Sequence, residues 1–136
     1  MNIKLDEGAF MPIKAHETDA GYDILTPVDV TLYPKKSYCI KTGVHWEIPK
    51  GYVGMLKAKS GLNCKYNIVG EGVIDSGYTG EIMVKLYNHG DKLYKFKKGE
   101  KIIQMVVLPY FSEELTKVDS LESTERGNNG FGSTGK

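Results

Sequence analysis

Asp75 and Tyr78 stand three residues apart in the stretch Gly72-Val73-Ile74-Asp75-Ser76-Gly77-Tyr78-Thr79-Gly80-Glu81. Two apolar residues lead into the acid, and a Ser-Gly pair makes a hairpin tip, so a carboxylate and an aromatic ring share one rigid turn. A carboxylate so placed can orient and deprotonate a water, and a ring can stack on a flat ligand. The same Asp beside Gly also reads as a residue that only stabilises its own turn. Ala58-Lys59-Ser60-Gly61 offers a cation, a hydroxyl and backbone N–H groups at a helix start, which together form an anion cradle. An ordinary N-cap with a solvated lysine is its plain alternative. Ala20-Gly21-Tyr22-Asp23 puts a second acid on a turn, able to hold Mg²⁺ through water as that ion prefers, or to make an Asx-type turn and nothing more. Lys98-Gly99-Glu100-Lys101 with Gln104 adds a turn and a strand-borne amide. Near the end, Arg126, Ser133 and Thr134 lie among glycines in a phosphate-friendly strip. The ending Gly130-Phe131-Gly132-Ser133-Thr134-Gly135-Lys136 is no P-loop, since no strand leads in and no Ser or Thr follows the lysine.

The elements that position these groups read as β throughout. Sixteen glycines in 136 residues exceed the ~7% average usage and punctuate short runs of β-type residues. Val28, Val30 and Leu32 alternate with polar partners, and so do Val44, Trp46 and Ile48 before a turn at Pro49-Lys50-Gly51. Strands are also expected over residues 52–56, 81–87 and 101–108. Many short strands separated by turn signals predict a sandwich or jelly-roll-like barrel. The single helix expected is one short turn from Ser60, capped by the Ser60 hydroxyl. Residues 1–123 read as one β-domain. Residues 124–136, rich in Gly and without apolar periodicity, read as a flexible tail.

Composition narrows the classes. A net charge of +1 gives no field that implies nucleic acid as a partner. No apolar run approaches the ~20 residues that span a bilayer, and the first residues lack the pattern of a signal peptide. Two cysteines without CxxC spacing suit a reducing, cytoplasmic compartment, with Cys39 and Cys64 expected to be packing residues. His16, His45 and His89 are scattered and are expected to be surface or packing residues.

Taken in order, five segments resemble the five motifs of the trimeric dUTPase family. They are Ala20-Gly21-Tyr22-Asp23-Ile24, Lys59-Ser60-Gly61-Leu62, residues 72–81, Lys98-Gly99-Glu100-Lys101-Ile102-Ile103-Gln104, and residues 126–135. Thr42-Gly43-Val44 and residues 47–52 are also similar to family text, so the resemblance covers nearly the whole chain. It implies a distorted jelly roll or β-clip-like barrel, assembled as a homotrimer whose three active sites are each shared by three subunits. It implies hydrolysis of dUTP to dUMP and pyrophosphate, with Mg²⁺ as cofactor. Asp75 would order the water that attacks the α-phosphorus and lie beside the sugar 3′-hydroxyl. Tyr78 would pack on the deoxyribose and leave no room for a 2′-hydroxyl. Backbone groups at Glu71, Gly72 and Ile74 would bind uracil and exclude the thymine methyl. Lys59, Ser60, Gly61 and Gln104 would contact phosphates, and Asp23 would reach the metal through water. Phe131 and Gly132 would cover the base, while Arg126, Ser133 and Thr134 would bind the terminal phosphate as the tail closes.

Departures from the family pattern are few. Lys59 stands where Arg is usual, trading a bidentate fork for a point charge. Asn129 replaces a Gly, Ala58 replaces a Pro, and the link between the second and third motifs is short. The sister deaminases of this fold carry a catalytic Glu five residues beyond the hairpin glycine, and here Lys85 occupies that position relative to Gly80. A reading of another class is a regulatory binding protein whose tail responds to nucleotide, although no segment advertises a partner surface.

Overall fold

A computed structural model describes residues 1–130 of the chain. Ten strands and one helix follow in order: β1 (Ile3–Leu5), β2 (Gly21–Leu25), β3 (Val30–Leu32), β4 (Ser37–Trp46), β5 (Tyr52–Lys57), α1 (Ser60–Tyr66), β6 (Ile68–Val69), β7 (Glu71–Ile74), β8 (Glu81–Asn88), β9 (Tyr94–Phe96) and β10 (Lys101–Pro109). They form one antiparallel sheet in the order β1-β4-β8-β6, a second in the order β2-β10-β5-β7, and a two-stranded ribbon of β3 and β9. This is the all-β, jelly-roll-like architecture with one very short helix that the glycine-punctuated pattern predicts.

Period-two alternation builds the core. Along β8, Ile82, Val84 and Leu86 point inward while Met83, Lys85 and Tyr87 point out. Ile40, Val44 and Trp46 of β4 meet them across the ladder side, and Leu56, Ile103 and Met105 close the layer from the second sheet. Burial of these side chains, at roughly 1.5–3 kcal/mol each, is the main drive for folding. Two buried polar groups are satisfied internally. The Thr42 hydroxyl donates to the Ile82 carbonyl at 2.7 Å, and the Asn88 amide donates to the Leu32 and Lys92 carbonyls.

Several expectations need correction. Val28 is not part of a strand: it is 50% exposed, because Pro27 and the Thr26 hydroxyl, bonded to the Val28 carbonyl, turn the chain before Val30. Cys39 and Cys64 are exposed rather than packed. Cys39 lies opposite Lys85 on the outward face of the β4–β8 ladder, and Cys64 falls on the helix away from its one buried residue, Leu62. Strands β1, β6 and β9 are two or three residues long and carry too little alternation to be read in advance. Beyond Pro109, residues 110–130 hold no helix or strand, and Phe111, Leu115 and Leu121 are exposed. No helix among the described residues is long and apolar enough to cross a membrane.

Candidate active site

Sheet register brings four polar side chains into one row. Asp23 of β2 pairs with Gln104 of β10, Gln104 with Lys57 of β5, and Lys57 with Glu71 of β7. Directly paired residues share a face, so these four project from the side opposite the buried Leu56 and Met105. Asp23 therefore lies mid-strand, not on the turn expected for it. It is only 8% exposed, and its two carboxylate oxygens accept from different ammonium groups, Oδ1 from Lys59 and Oδ2 from Lys101 at 2.8 Å. Burial pushes the Asp23 carboxyl up, and the hydrogen bonds from Lys101 and Lys59 outweigh it, so the group titrates below the ordinary carboxylate range.

At the end of β5 the chain enters α1. Lys59, not Ser60, is the N-cap, in extended conformation, and its carbonyl accepts the Asn63 N–H at 2.9 Å. No side chain caps this end, so the Ser60 hydroxyl and the first-turn N–H groups are not used up within the helix. Gly61 has open space where a Cβ would stand, which lets a ligand approach the backbone. Gln104 donates to the Ala58 carbonyl at 3.3 Å and packs against Gly21, where any Cβ would come within 2.9 Å of the Gln104 oxygen. Lys59, Ser60, Gly61 and Gln104 all line one cavity of about 390 Å³. Lys65, Tyr66, Tyr94 and Lys101 complete its wall and were not singled out from the sequence. Lys101 lay inside a recognisable motif and was legible there. Tyr66 and Tyr94, in edge contact at 4.7 Å, come from distant segments with no shared signal.

The turn between β7 and β8 carries the second set; the two strands belong to different sheets and do not pair, so it is an inter-sheet connection and not the hairpin expected from the sequence. The Tyr78 N–H donates to the Asp75 carbonyl at 3.0 Å, closing the turn through backbone groups. The Asp75 side chain is exposed and accepts no hydrogen bond among the described residues, so it is not consumed in holding its own turn. Tyr78 folds back over Gly80 and donates its hydroxyl to the Glu81 carbonyl at 2.7 Å. A Cβ on Gly80 would lie 2.6 Å from the ring, so the tyrosine's position depends on that glycine. Glu71, Gly72 and Ile74 lie on β7, the last strand of its sheet, whose outer backbone side has no ladder partner. The Glu71 carboxylate is occupied with Lys57 at 3.1 Å, which leaves its backbone as the group on offer.

Within one chain these two sets are apart. Gly54 pairs with Ile74 and Lys57 with Glu71, so Asp75 lies past one end of the β5–β7 ladder and Lys59 past the other. Six residues at roughly 3.3 Å each put about 20 Å between them. Arg126 is exposed and donates to the Asn129 carbonyl at 3.0 Å. Phe131, Gly132, Ser133 and Thr134 lie outside the described residues. Asp23 has no second carboxylate or imidazole beside it, and no group of three acidic, His or Cys residues gathers anywhere among the described residues. That donor set suits an ion whose inner ligands are substrate phosphates and waters, not an ion caged by protein.

Comparison with known proteins bears on this arrangement. The dUTPase family profile matches residues 7–135. The chain belongs to the dUTPase family. A deoxyuridine 5′-triphosphate nucleotidohydrolase of Clostridium novyi is 41% identical over 135 residues, covering 97% of this chain and 95% of that one. The dUTPase of Staphylococcus bacteriophage 80alpha, solved with dUPNHPP, superposes with a TM-score of 0.93 at 36% identity, covering 99% of this chain and 98% of that one. A mutant dUTPase from phage phi11 of S. aureus, described with a structural Mg(II) ion, gives a TM-score of 0.82 at 32% identity over 90% of this chain and 98% of that one.

Proposed function

We propose that the chain hydrolyses dUTP to dUMP and pyrophosphate, as a homotrimer in which the β7–β8 turn of one subunit completes the phosphate cradle of another. The observation that supports this reading is that Lys59, Ser60, Gly61 and Gln104 line a single cavity, while the β5–β7 register puts Asp75 past the opposite end of the ladder, about 20 Å from Lys59 for extended chain. A second copy that supplies Asp75 to this cradle brings the acid to the α-phosphorus.

In the assembled site Asp75 takes a proton from water as the water oxygen bonds to the α-phosphorus. The bond from that phosphorus to the bridging oxygen breaks, and pyrophosphate leaves with the electron pair. Lys59, the Ser60 hydroxyl, the Gly61 N–H and the Gln104 amide bind phosphate oxygens and stabilise charge that builds there. Asp23 would hold Mg²⁺ through water, and the ion would offset the charge that builds on the phosphates. Outer backbone groups of β7 near Glu71, Gly72 and Ile74 pair with uracil, and a wrong base would strand them at ~1–3 kcal/mol each. Tyr78, fixed over Gly80, packs on the deoxyribose. Arg126, Phe131, Gly132, Ser133 and Thr134 close over the bound nucleotide and exclude water.

Lys85 speaks against the deaminase alternative. Its ammonium lies 5.2 Å over the Tyr87 ring on the outer face of β8, so this position holds no carboxylate to take a proton from water and pass it to an amine leaving group. The test is pyrophosphate release with Mg²⁺ from dUTP, dCTP, dTTP and UTP, with ammonia followed in parallel. Release from dUTP alone is expected. Ammonia from dCTP, or silence on all four, would overturn the reading.

A further inference from the structure

His45 lies on β4 opposite Glu81, where the Asp75-bearing turn enters β8, with its side chain 19% exposed. Its Nδ1 is 3.0 Å from the Thr79 carbonyl, and its Nε2 is 3.0 Å from the Asp6 carboxylate. Both partners are acceptors only, so the ring makes both bonds only as the doubly protonated imidazolium. The β4–β8 register shifts between Lys41 and His45, and Gly43 takes a positive φ of +67° there. This bulge turns the Gly43 N–H toward the Glu81 carboxylate at 2.8 Å and leaves His45 beside Thr79. Glu81 in turn accepts the Tyr78 hydroxyl through its carbonyl. Three ties therefore fix the β8 side of the turn, and of these only the His45 bond depends on a proton with an ordinary value near 6.5.

We propose that His45, charged and held by Asp6, is a positioning residue that clamps the Thr79 carbonyl and so sets the placement of Tyr78 and Asp75 for dUTP turnover. The inference rests on the dUTPase reading above. Lys4 faces His45 in register from β1, Glu81 faces it from β8, and Asp6 is its direct partner. Hydrogen bonds to Asp6 and Thr79 raise the His45 pKa, against the opposing effects of desolvation and, more weakly, of Lys4. The sign follows. The clamp is complete below the ordinary histidine value and is lost as pH rises through the higher folded value.

Two measurements on the full-length protein test it. In the wild type, kcat/KM for dUTP should fall on the alkaline side of pH 6.5 by about three- to tenfold, the range that one hydrogen bond commands. His45→Gln, a neutral donor to Thr79, should remove that limb and retain activity near neutrality, whereas His45→Ala should not retain it. Asp6→Asn, the check should the His45 variants fail to fold, should move the limb to lower pH. Independently of turnover, NMR should show the His45 ring titrating with the same midpoint as the Tyr78 and Thr79 amide shifts. Failure of dUTP hydrolysis with that linked titration intact would sink the substrate and keep the clamp. A His45 titration that leaves both amides unmoved, or a His45→Gln profile identical to wild type, would overturn the clamp.

Discussion

Replacing Asp23 by Asn removes one negative charge from between two ammonium groups. Lys59 and Lys101 keep 28% and 36% of their side chains exposed, and the Asp23 side chain 11%. Losing the acid from a fully buried pair costs ~3–5 kcal/mol, and an exposed pair is worth ~0.2–1 kcal/mol. This cluster falls between. Two ammoniums left about 4–6 Å apart repel by about 1 kcal/mol in water and about 3–4 kcal/mol at an effective dielectric constant of ~20, until they swing toward solvent. A net loss of about 2 kcal/mol is expected, or about 6–8 °C in Tm for a domain of this size. Adding Lys101→Met to Asp23→Asn should recover about 1 kcal/mol, because it removes the repulsion. Trp46, the single tryptophan, is buried and packs edge-on against Tyr22 at 5.2 Å, so its fluorescence reports unfolding of this strand at fixed protein concentration. The pH dependence has a definite sign. The Asp23 pKa is depressed, so the wild-type advantage is present above the ordinary value of 3.8 and fades as pH falls through the folded value. A variant within ~0.5 kcal/mol of wild type at neutral pH, or no recovery in the double mutant, would refute the charge-clamp reasoning.

Gly80→Ala should push the Tyr78 ring off its seat at a stability cost below ~1 kcal/mol, since the ring is exposed and forfeits one hydrogen bond. Its kcat/KM for dUTP should fall by about tenfold or more, with weaker discrimination against UTP; unchanged sugar selectivity in competition assays would contradict this. Asp75→Asn should keep nucleotide binding by calorimetry and lose kcat by about 10²–10⁴-fold, and near-normal turnover would remove Asp75 from its role. Deleting residues 127–136 should leave the β-domain folded by circular dichroism, because every strand ends by Pro109, while turnover drops severely. Unaltered kinetics would mean that the tail takes no part.

Much of this protein was legible in one dimension, because the signals are local. Alternation at Val44 and Trp46 and over 81–87, and the β-type run 101–108, mark strands, since side chains on a pleated strand must alternate faces; Ile48 falls just past the end of β4 at Trp46. Five ordered motifs mark the family, because each is a short run whose residue types depend on its own turn or strand. What depends on pairing between distant segments was not legible. Asp23 reads as a turn acid, since Asp disfavours strands, until register places Lys59 and Lys101 on its two oxygens. Ser60 reads as a cap because its type is right, yet Ser60 is already the first helical residue and Lys59 is the N-cap. Cys39 reads as core because free cysteine usually is, but the β4–β8 register turns it outward. His45 carries no sequence signal at all, and its contacts come from residues 34 and 39 positions away. The separation of Asp75 from Lys59 follows from the β5–β7 register. Composition and motif order determined the family and the chemistry, since these reside in residue types. Charge pairing, helix capping and the distance between the two half-sites were decided by tertiary structure, because each is a property of register and not of sequence spacing.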